Sequence, residues 1–340
     1  MRLGFNPHKD EQQIKSDYFH QVVIPVYIPN EEGYFEDSFE IFKLCLHSLF
    51  QTIHKKTYIT IVNNGSCEAV IAYLNKLFLD GDIQEIINTS TIGKLNAVLK
   101  GIVGYNFSLI TVADADVLFL QNWQKATYSV FEDFPKTGVV CPTPSSRSLR
   151  TVTANIYWDL IFSKRLQFSI VENPDALKMF AHSVGNPAFY NEIQLQKYMT
   201  VTHNDSKAVV GAGHFVATYR ASVFKNSSIK YSNYKLGGDS ESKILDLPVV
   251  KKGFWRLSTA NNYAYHMGNC IEDWMIEEVS KLEKPDQILD FKLETNPSNA
   301  KWLYYLKTKL FGKFILNKKI MTFFLIWKGL SKEEAKNYLK

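Results

Sequence analysis

Only four cysteines occur in 340 residues, Cys45, Cys67, Cys141 and Cys270, and no two of them form a C-x-x-C pair. That spacing disfavours both a disulfide framework and a structural zinc site, and it suits a reducing compartment. Residues 1–20 hold no apolar stretch of the kind a secretory leader needs, and no run approaches the ~20 apolar residues of a membrane-spanning helix. The expectation is a cytoplasmic protein not threaded through a bilayer. Internal repeats, low-complexity segments and nucleic-acid recognition motifs are also missing, so nucleic acid is not expected as a partner.

What is present is a well-populated core composition: 46% hydrophobic residues, with 23 Phe, 18 Tyr and 6 Trp. This is too apolar for a disordered chain. The net charge of +5 is unevenly placed, because ten lysines against Glu333 and Glu334 make residues 301–340 +8 and leave the rest at −3. A basic, aromatic-rich ending on a slightly acidic body points to contact with an anionic membrane surface, or to a helical module with its lysines in water.

Between these ends, short apolar runs alternate with helical patterns, the signature of an α/β sheet with crossover helices. Strands are expected at 21–28, 58–62, 83–88, 108–112 and 138–141, with helices over 39–54, 68–79 and from about 94 to 101. Residues 151–204 read as a loosely ordered wall, 208–219 as one strand, and 254–264 as a last strand ending near His266. The division is a polar lead-in over 1–20, a catalytic domain over 21–270 with halves at 21–145 and 146–270, and a helical extension over 271–340. Each early strand ends in polar residues, and open α/β sheets bind ligands at the carboxyl ends of their strands.

The sharpest of these ends carries Asp114-Ala115-Asp116, two carboxylates one residue apart after an apolar strand. Hard oxygen donors of this kind hold Mg²⁺ or Mn²⁺ while leaving positions open for diphosphate oxygens. His266, at the end of the last apolar run, is the candidate third ligand of a mixed oxygen and nitrogen shell.

Taken in order, Ile24-Pro25-Val26-Tyr27, Val62-Asn63-Asn64-Gly65-Ser66, Gly93-Lys94-Leu95-Asn96-Ala97, Asp114 and Asp116, Asp239 and Glu241, and His266 resemble a family-two glycosyltransferase of the GT-A fold. The resemblance spans about 22–269. It implies a mixed, mostly parallel sheet and an inverting single displacement that moves a sugar from a nucleotide-diphosphate donor, most commonly UDP-linked. The acceptor that the resemblance implies is a glycan or lipid-linked molecule, as in polysaccharide biosynthesis at the inner face of a membrane. It further implies that Pro25, Val26, Tyr27 and Glu31 or Glu32 line the nucleoside pocket with Asn63, that Gly93, Lys94 and Asn96 lie against the nucleotide, and that Ala115 accompanies Asp114 at the donor.

Departures are visible. Asn63 stands where the family usually has Asp, and Gly238 where it has Glu, so Asp239 aligns with the proton-abstracting carboxylate and Glu241 follows it as an acceptor-side acid. Capping of a helix start is the plainer alternative for Asp239. Two rivals remain beside the transferase. A sugar nucleotidyltransferase is disfavoured because no G-x-G-x-x-x-R loop accompanies the first strand. A nucleotide-sugar binding protein on a decayed scaffold is motivated by Asn63 and Gly238. His214, after Gly211-Ala212-Gly213, reads as structural.

Overall fold

The computed structural model describes residues 4–12, 16–225, 231–285, 291, 293 and 301–340. In chain order the elements are β1 (His20–Val26), α1 (Ser38–Thr52), β2 (Thr57–Asn63), α2 (Glu68–Leu79), β3 (Glu85–Asn88), α3 (Lys94–Gly101), β4 (Leu109–Ala113), β5 (Val117–Phe119), α4 (Trp123–Asp133) and β6 (Thr137–Cys141). They continue through α5 (Ala154–Leu160), β7 (Leu166–Ile170), α6 (Pro174–Ser183), α7 (Glu192–Gln196), β8 (Lys197–His203), β9 (Ser206–Val210) and β10 (Val216–Arg220). A π-helical turn, Ser242–Asp246, leads into α8 (Leu247–Lys251), followed by β11 (Trp255–Thr259), β12 (Ala264–His266) and α9 (Asp273–Ser280). The ending comprises α10 (Lys301–Tyr304), a second π-helical stretch, Tyr305–Leu310, α11 (Phe311–Ile315), α12 (Lys318–Trp327) and α13 (Lys332–Tyr338).

Among the described residues, ten strands form one sheet in the order β3-β2-β1-β4-β10-β6-β11-β9-β8-β7. The first four are mutually parallel, and β10 enters antiparallel between β4 and β6. Strands β1, β2 and β4 are almost wholly buried, which explains their near-continuous Val and Ile runs. Apolar clusters fill both faces, one built on α1 and α2 and another on α3 and α8. This is the mixed α/β architecture the sequence implied.

Three expectations need correction. The single strand at 208–219 is two, β9 and β10, separated by a loop at Gly211, which has φ +99° and where a Cβ would meet Ser148 at 2.5 Å. The last strand is also two: β11 joins the main sheet, and β12 pairs with β5 in a separate two-stranded sheet. Residues 151–204 are ordered rather than loose, and the antiparallel pair β7 and β8, joined through α6 and α7, extends the sheet edge.

The described carboxyl-terminal helices pack on the domain. Phe324, Leu325 and Met321 are buried with Tyr157, and each such side chain contributes about 1.5–3 kcal/mol. The Lys307 ammonium lies 2.6 Å from Asp159, and the Tyr338 hydroxyl donates to the Ser146 carbonyl at 2.9 Å. Among the described residues no helix is long and apolar enough to cross a membrane, and the four cysteines are unpaired.

Candidate functional site

A cleft of about 600 Å³ opens at the carboxyl ends of β1 and β4, where the crossovers diverge. Pro25, Val26 and Tyr27 line it together with Gly93, Lys94, Asp114, Ala115, Asp116 and His266. Four sequence segments therefore converge on one rim. Tyr27 meets Phe35 edge to face at 5.9 Å, giving the cleft an aromatic wall.

Backbone pairing explains the convergence. The antiparallel partnership of β10 with β4 continues one step, so Asp114 N–H donates to the Phe215 carbonyl at 2.7 Å. The β5–β12 ladder sets His266 opposite Val117, and Met267 N–H donates to the Asp116 carbonyl at 2.8 Å. In this way His266 is delivered beside Asp116 by main-chain hydrogen bonds rather than by chance side-chain packing.

The Lys94 ammonium sits 2.6 Å from Asp114 Oδ1, 2.9 Å from its Oδ2 and 3.5 Å from Glu241 Oε1. Burial works against this ammonium, but Asp114 and then Glu241 and Asp116 outweigh it and hold its pKa above the usual lysine value. Burial also pushes the Asp116 carboxyl up to about 6, with His266 working against that rise and Asp114 adding to it.

Does this set fit a divalent cation? Asp116 Oδ1 is buried without a hydrogen-bond partner. Ser183 Oγ donates to the Phe180 carbonyl at 2.9 Å, so it accepts from His266 Nδ1–H at 3.0 Å. In the neutral ring His266 Nε2 is then an acceptor, and it faces Asp116 Oδ2 at 3.4 Å. Two acceptors directed at each other beside an unpartnered carboxylate oxygen suit a cation. The expected trio is nevertheless incomplete: Asp114 is turned onto Lys94, and among the described residues no group of three His, Cys, Asp or Glu side chains is arranged to hold an ion.

Other expected residues take different places. Asn63 does not line the cleft: its amide donates to Asn88 and its carbonyl accepts from Ser66 N–H, both at 2.9 Å. Its neighbour Asn64 lines the cleft instead. Asn96 is also spent internally, donating to the Ile92 and Ser232 carbonyls and accepting from Ser232 N–H at 2.8 Å. It clamps segment 231–236, whose Lys235 and Leu236 cover the cleft beside Gly93. Glu31 and Glu32 are exposed outside the lining. Asp239, expected as the base, faces solvent and pairs with Lys243 at 2.7 Å, because the turn before it directs its side chain along its own helix. Glu241 also stands outside the lining but joins it through Lys94.

The sequence reading missed His214 as a partner of Glu241, at 3.5 Å, and of the fully buried Asp246, at 2.8 Å. A histidine in a Gly-rich turn after a strand was the available hint. It also missed Ser183, which nothing in the local pattern distinguished.

Residues 22–186 match the model of a family described as glycosyl transferase family 2. No curated protein matches the chain in a sequence search. Solved structures similar to it include S. aureus TarS 1-349, with 12% identity over 78% of this chain and 67% of that one and a TM-score of 0.43. The chain covers 38% of a longer TarS structure. Another is the mannosyltransferase PcManGT from Pyrobaculum calidifontis in complex with GDP-Man and Mn²⁺, with 11% identity over 94% and 74% of the two chains and a TM-score of 0.42.

Proposed function

We propose that this chain, a family 2 glycosyltransferase of GT-A fold over residues 22–186, moves a sugar from a nucleotide-diphosphate donor, UDP-linked by preference, to a glycan or lipid-linked acceptor with inversion. The observation that carries the reading is the meeting of Lys94, Asp114, Asp116 and His266 on one aromatic-walled cleft at the strand ends.

Pro25, Val26, Tyr27 and Asn64 support a nucleoside at one end of that cleft, and Lys94 supplies a positive charge for phosphate oxygens. A divalent cation, Mn²⁺ or Mg²⁺, held by Asp116 and His266 with Asp114 once Lys94 turns to phosphate, would neutralise the charge that gathers on the departing diphosphate. Glu241 is the proton acceptor we assign to the incoming hydroxyl, in preference to Asp239, since only Glu241 is joined to the cleft. The acceptor oxygen attacks the anomeric carbon as its proton passes to Glu241, so no enzyme nucleophile is needed.

A second reading, a nucleotide-sugar binder without turnover, is supported by the Lys94–Asp114 pair that occupies one expected metal ligand. Release of UDP or GDP from a panel of sugar nucleotides with Mn²⁺ separates the two. Turnover lost at least a hundredfold in Asp116→Ala and Glu241→Gln, and less in Asp239→Asn, supports the transferase; binding without turnover supports the rival.

The carboxyl-terminal helices add a partner to the proposal, an anionic membrane at the cytoplasmic face. Phe162 and Phe323 are 88% and 71% exposed. Phe162 meets Trp327 at 5.9 Å, and Trp158 meets Phe311 at 5.2 Å, extending the apolar strip. Lys309, Lys313, Lys318 and Lys319 are exposed and pair with no carboxylate among the described residues. Aromatics for the interface and unpaired lysines for anionic headgroups are the two parts such a contact requires.

A further inference from the structure

Behind Lys94 lies an array that the transfer chemistry has not yet used. Asp246 is fully buried, and its Oδ1 accepts from Arg256 Nη2 at 2.7 Å and from His214 Nε2 at 2.8 Å. Arg256 is itself buried and donates to the Ala212 carbonyl at 2.8 Å, which fixes the turn that carries His214. The Oδ1 that accepts from Arg256 also takes the His214 contact as an acceptor, so the imidazole donates to it from Nε2–H. In the neutral ring the other nitrogen, Nδ1, is then the acceptor, and it faces Glu241 Oε2 at 3.5 Å.

The backbone explains how two carboxylates come to flank one ring. Glu241 and Asp246 are five residues apart, and at about 100° per residue an α-helix would carry them to different sides. The turn between them, Ser242–Asp246, is instead π-helical, with i to i+5 spacing that returns both to one face. Such wide turns are rare and occur frequently at functional sites.

We propose that His214 is a proton-storing positioning residue for Glu241, held in its Nε2–H tautomer by Asp246. The inference rests on the assignment of Glu241 as proton acceptor. As the acceptor oxygen bonds to the anomeric carbon, the bond from that carbon to the diphosphate oxygen breaks, its electron pair leaving with the diphosphate. The hydroxyl proton passes to Glu241, then from Oε2 to His214 Nδ1, giving an imidazolium between two carboxylates. His214 is a quarter exposed and returns the proton to solvent after product leaves. The charged groups around it are Glu241 and Asp246 directly, Lys94 through Glu241 and Arg256 through Asp246.

The test uses the full chain with ¹⁵N-labelled histidine, and His214 is identified by its loss in His214→Gln. The expected spectrum has His214 protonated on Nε2 at neutral pH, and Glu241→Gln lowers its titration midpoint. An unchanged midpoint in Glu241→Gln, or a proton on Nδ1, overturns the proposal. In parallel, UDP release from UDP-GlcNAc and UDP-glucose is followed from pH 5.5 to 8.5. His214→Gln, which keeps a donor for Asp246, is expected to lower kcat about tenfold with KM held and to move the acid limb of the profile. If Glu241→Gln keeps turnover, the base assignment fails. If Glu241→Gln abolishes turnover while His214→Gln follows the wild-type profile, only the proton store fails.

Discussion

The Lys94 ammonium grips both oxygens of Asp114, at 2.6 and 2.9 Å, and so neutralises the carboxylate that a donor complex would need for its cation. On the proposed function, Lys94 and a divalent ion would therefore compete for Asp114 until a diphosphate drew the lysine away. Lys94→Ala should tighten binding of Mn²⁺ alone by several-fold, since one cation no longer opposes another. It should weaken UDP binding about tenfold or more. Paramagnetic titration of free Mn²⁺ and calorimetry with UDP read the two effects, and parallel losses of both would contradict the competition.

Ser183 orients His266 through Nδ1, and Phe180 and Phe215 hold the ring edge to face at 6.0 and 5.5 Å. Outer partners of this kind typically tune metal affinity by 10-fold or more. Ser183→Ala should weaken Mn²⁺ binding by about that factor while leaving the thermal midpoint of the metal-free protein nearly unchanged. Ser183→Thr should restore it. Equal Mn²⁺ affinity in all three would remove the serine from the site.

Gly93 has φ +91°, and a Cβ there would meet the Lys235 Cα at 2.9 Å. Gly93→Ala combines a strained backbone with a collision against the segment that covers the cleft, so a loss of about 1–3 kcal/mol in stability is expected. Asn96→Ala frees the same segment without that strain. Denaturant melts should separate the two variants, with UDP affinity falling in both.

His20 and His54 lie buried around the Tyr128 hydroxyl, at 2.6 and 2.8 Å. Burial lowers both imidazole pKa values, His54 to about 4, with Lys56 adding to the shift there and His54 itself adding to that of His20. The unfolded chain takes up protons below about 6.5 while the folded protein does not, so stability is full above that pH and declines as pH falls toward 4. The limiting slope is about 1.4 kcal/mol per pH unit for each histidine. His54→Gln should flatten the decline in urea melts taken at pH 7, 6 and 5; an unaltered slope would count against it.

Phe323→Ser with Trp327→Ser should reduce co-sedimentation with vesicles containing about a third anionic lipid by several-fold. Charge reversal at Lys313, Lys318 and Lys319 should do the same, and added salt should mimic it. Neutral vesicles serve as the reference. Binding that ignores both sets of changes would leave the strip without a membrane role.

Much of the first half was legible because its strands are buried on both faces and its helices are amphipathic. The helix expected at 68–79 is Glu68–Leu79, and the strand expected at 138–141 is Thr137–Cys141. The cleft residues carried by those strand ends, Pro25 to Tyr27 and Asp114 to Asp116, could be named because a single residue after a strand has little freedom in where it points. What was not legible depended on distant partners. Asn63 and Asn96 have ordinary polar side chains, and only the positions of Asn88, Ser66 and Ser232 decide that they look inward. Asp239 and Glu241 differ by two places just ahead of a turn whose π-helical pitch no local pattern announces. The β7–β8 pair was obscured because its strands lie some 26 residues apart around α6 and α7, and because edge strand β7 is mostly wet, which breaks its apolar run.

The placement of β10 between β4 and β6 bears on how the molecule is made. During synthesis β1 to β4 and β6 emerge well before residue 216, so the flank of β4 stays open while roughly another hundred residues are added, some 5–20 s at ordinary elongation rates. Until β10 inserts, neither the Phe215 carbonyl that anchors Asp114 nor the strand that brings His266 exists. A ribosome-bound chain stalled in that interval would carry its first half as an unfinished sheet with an adhesive edge, the kind of species that chaperones cover.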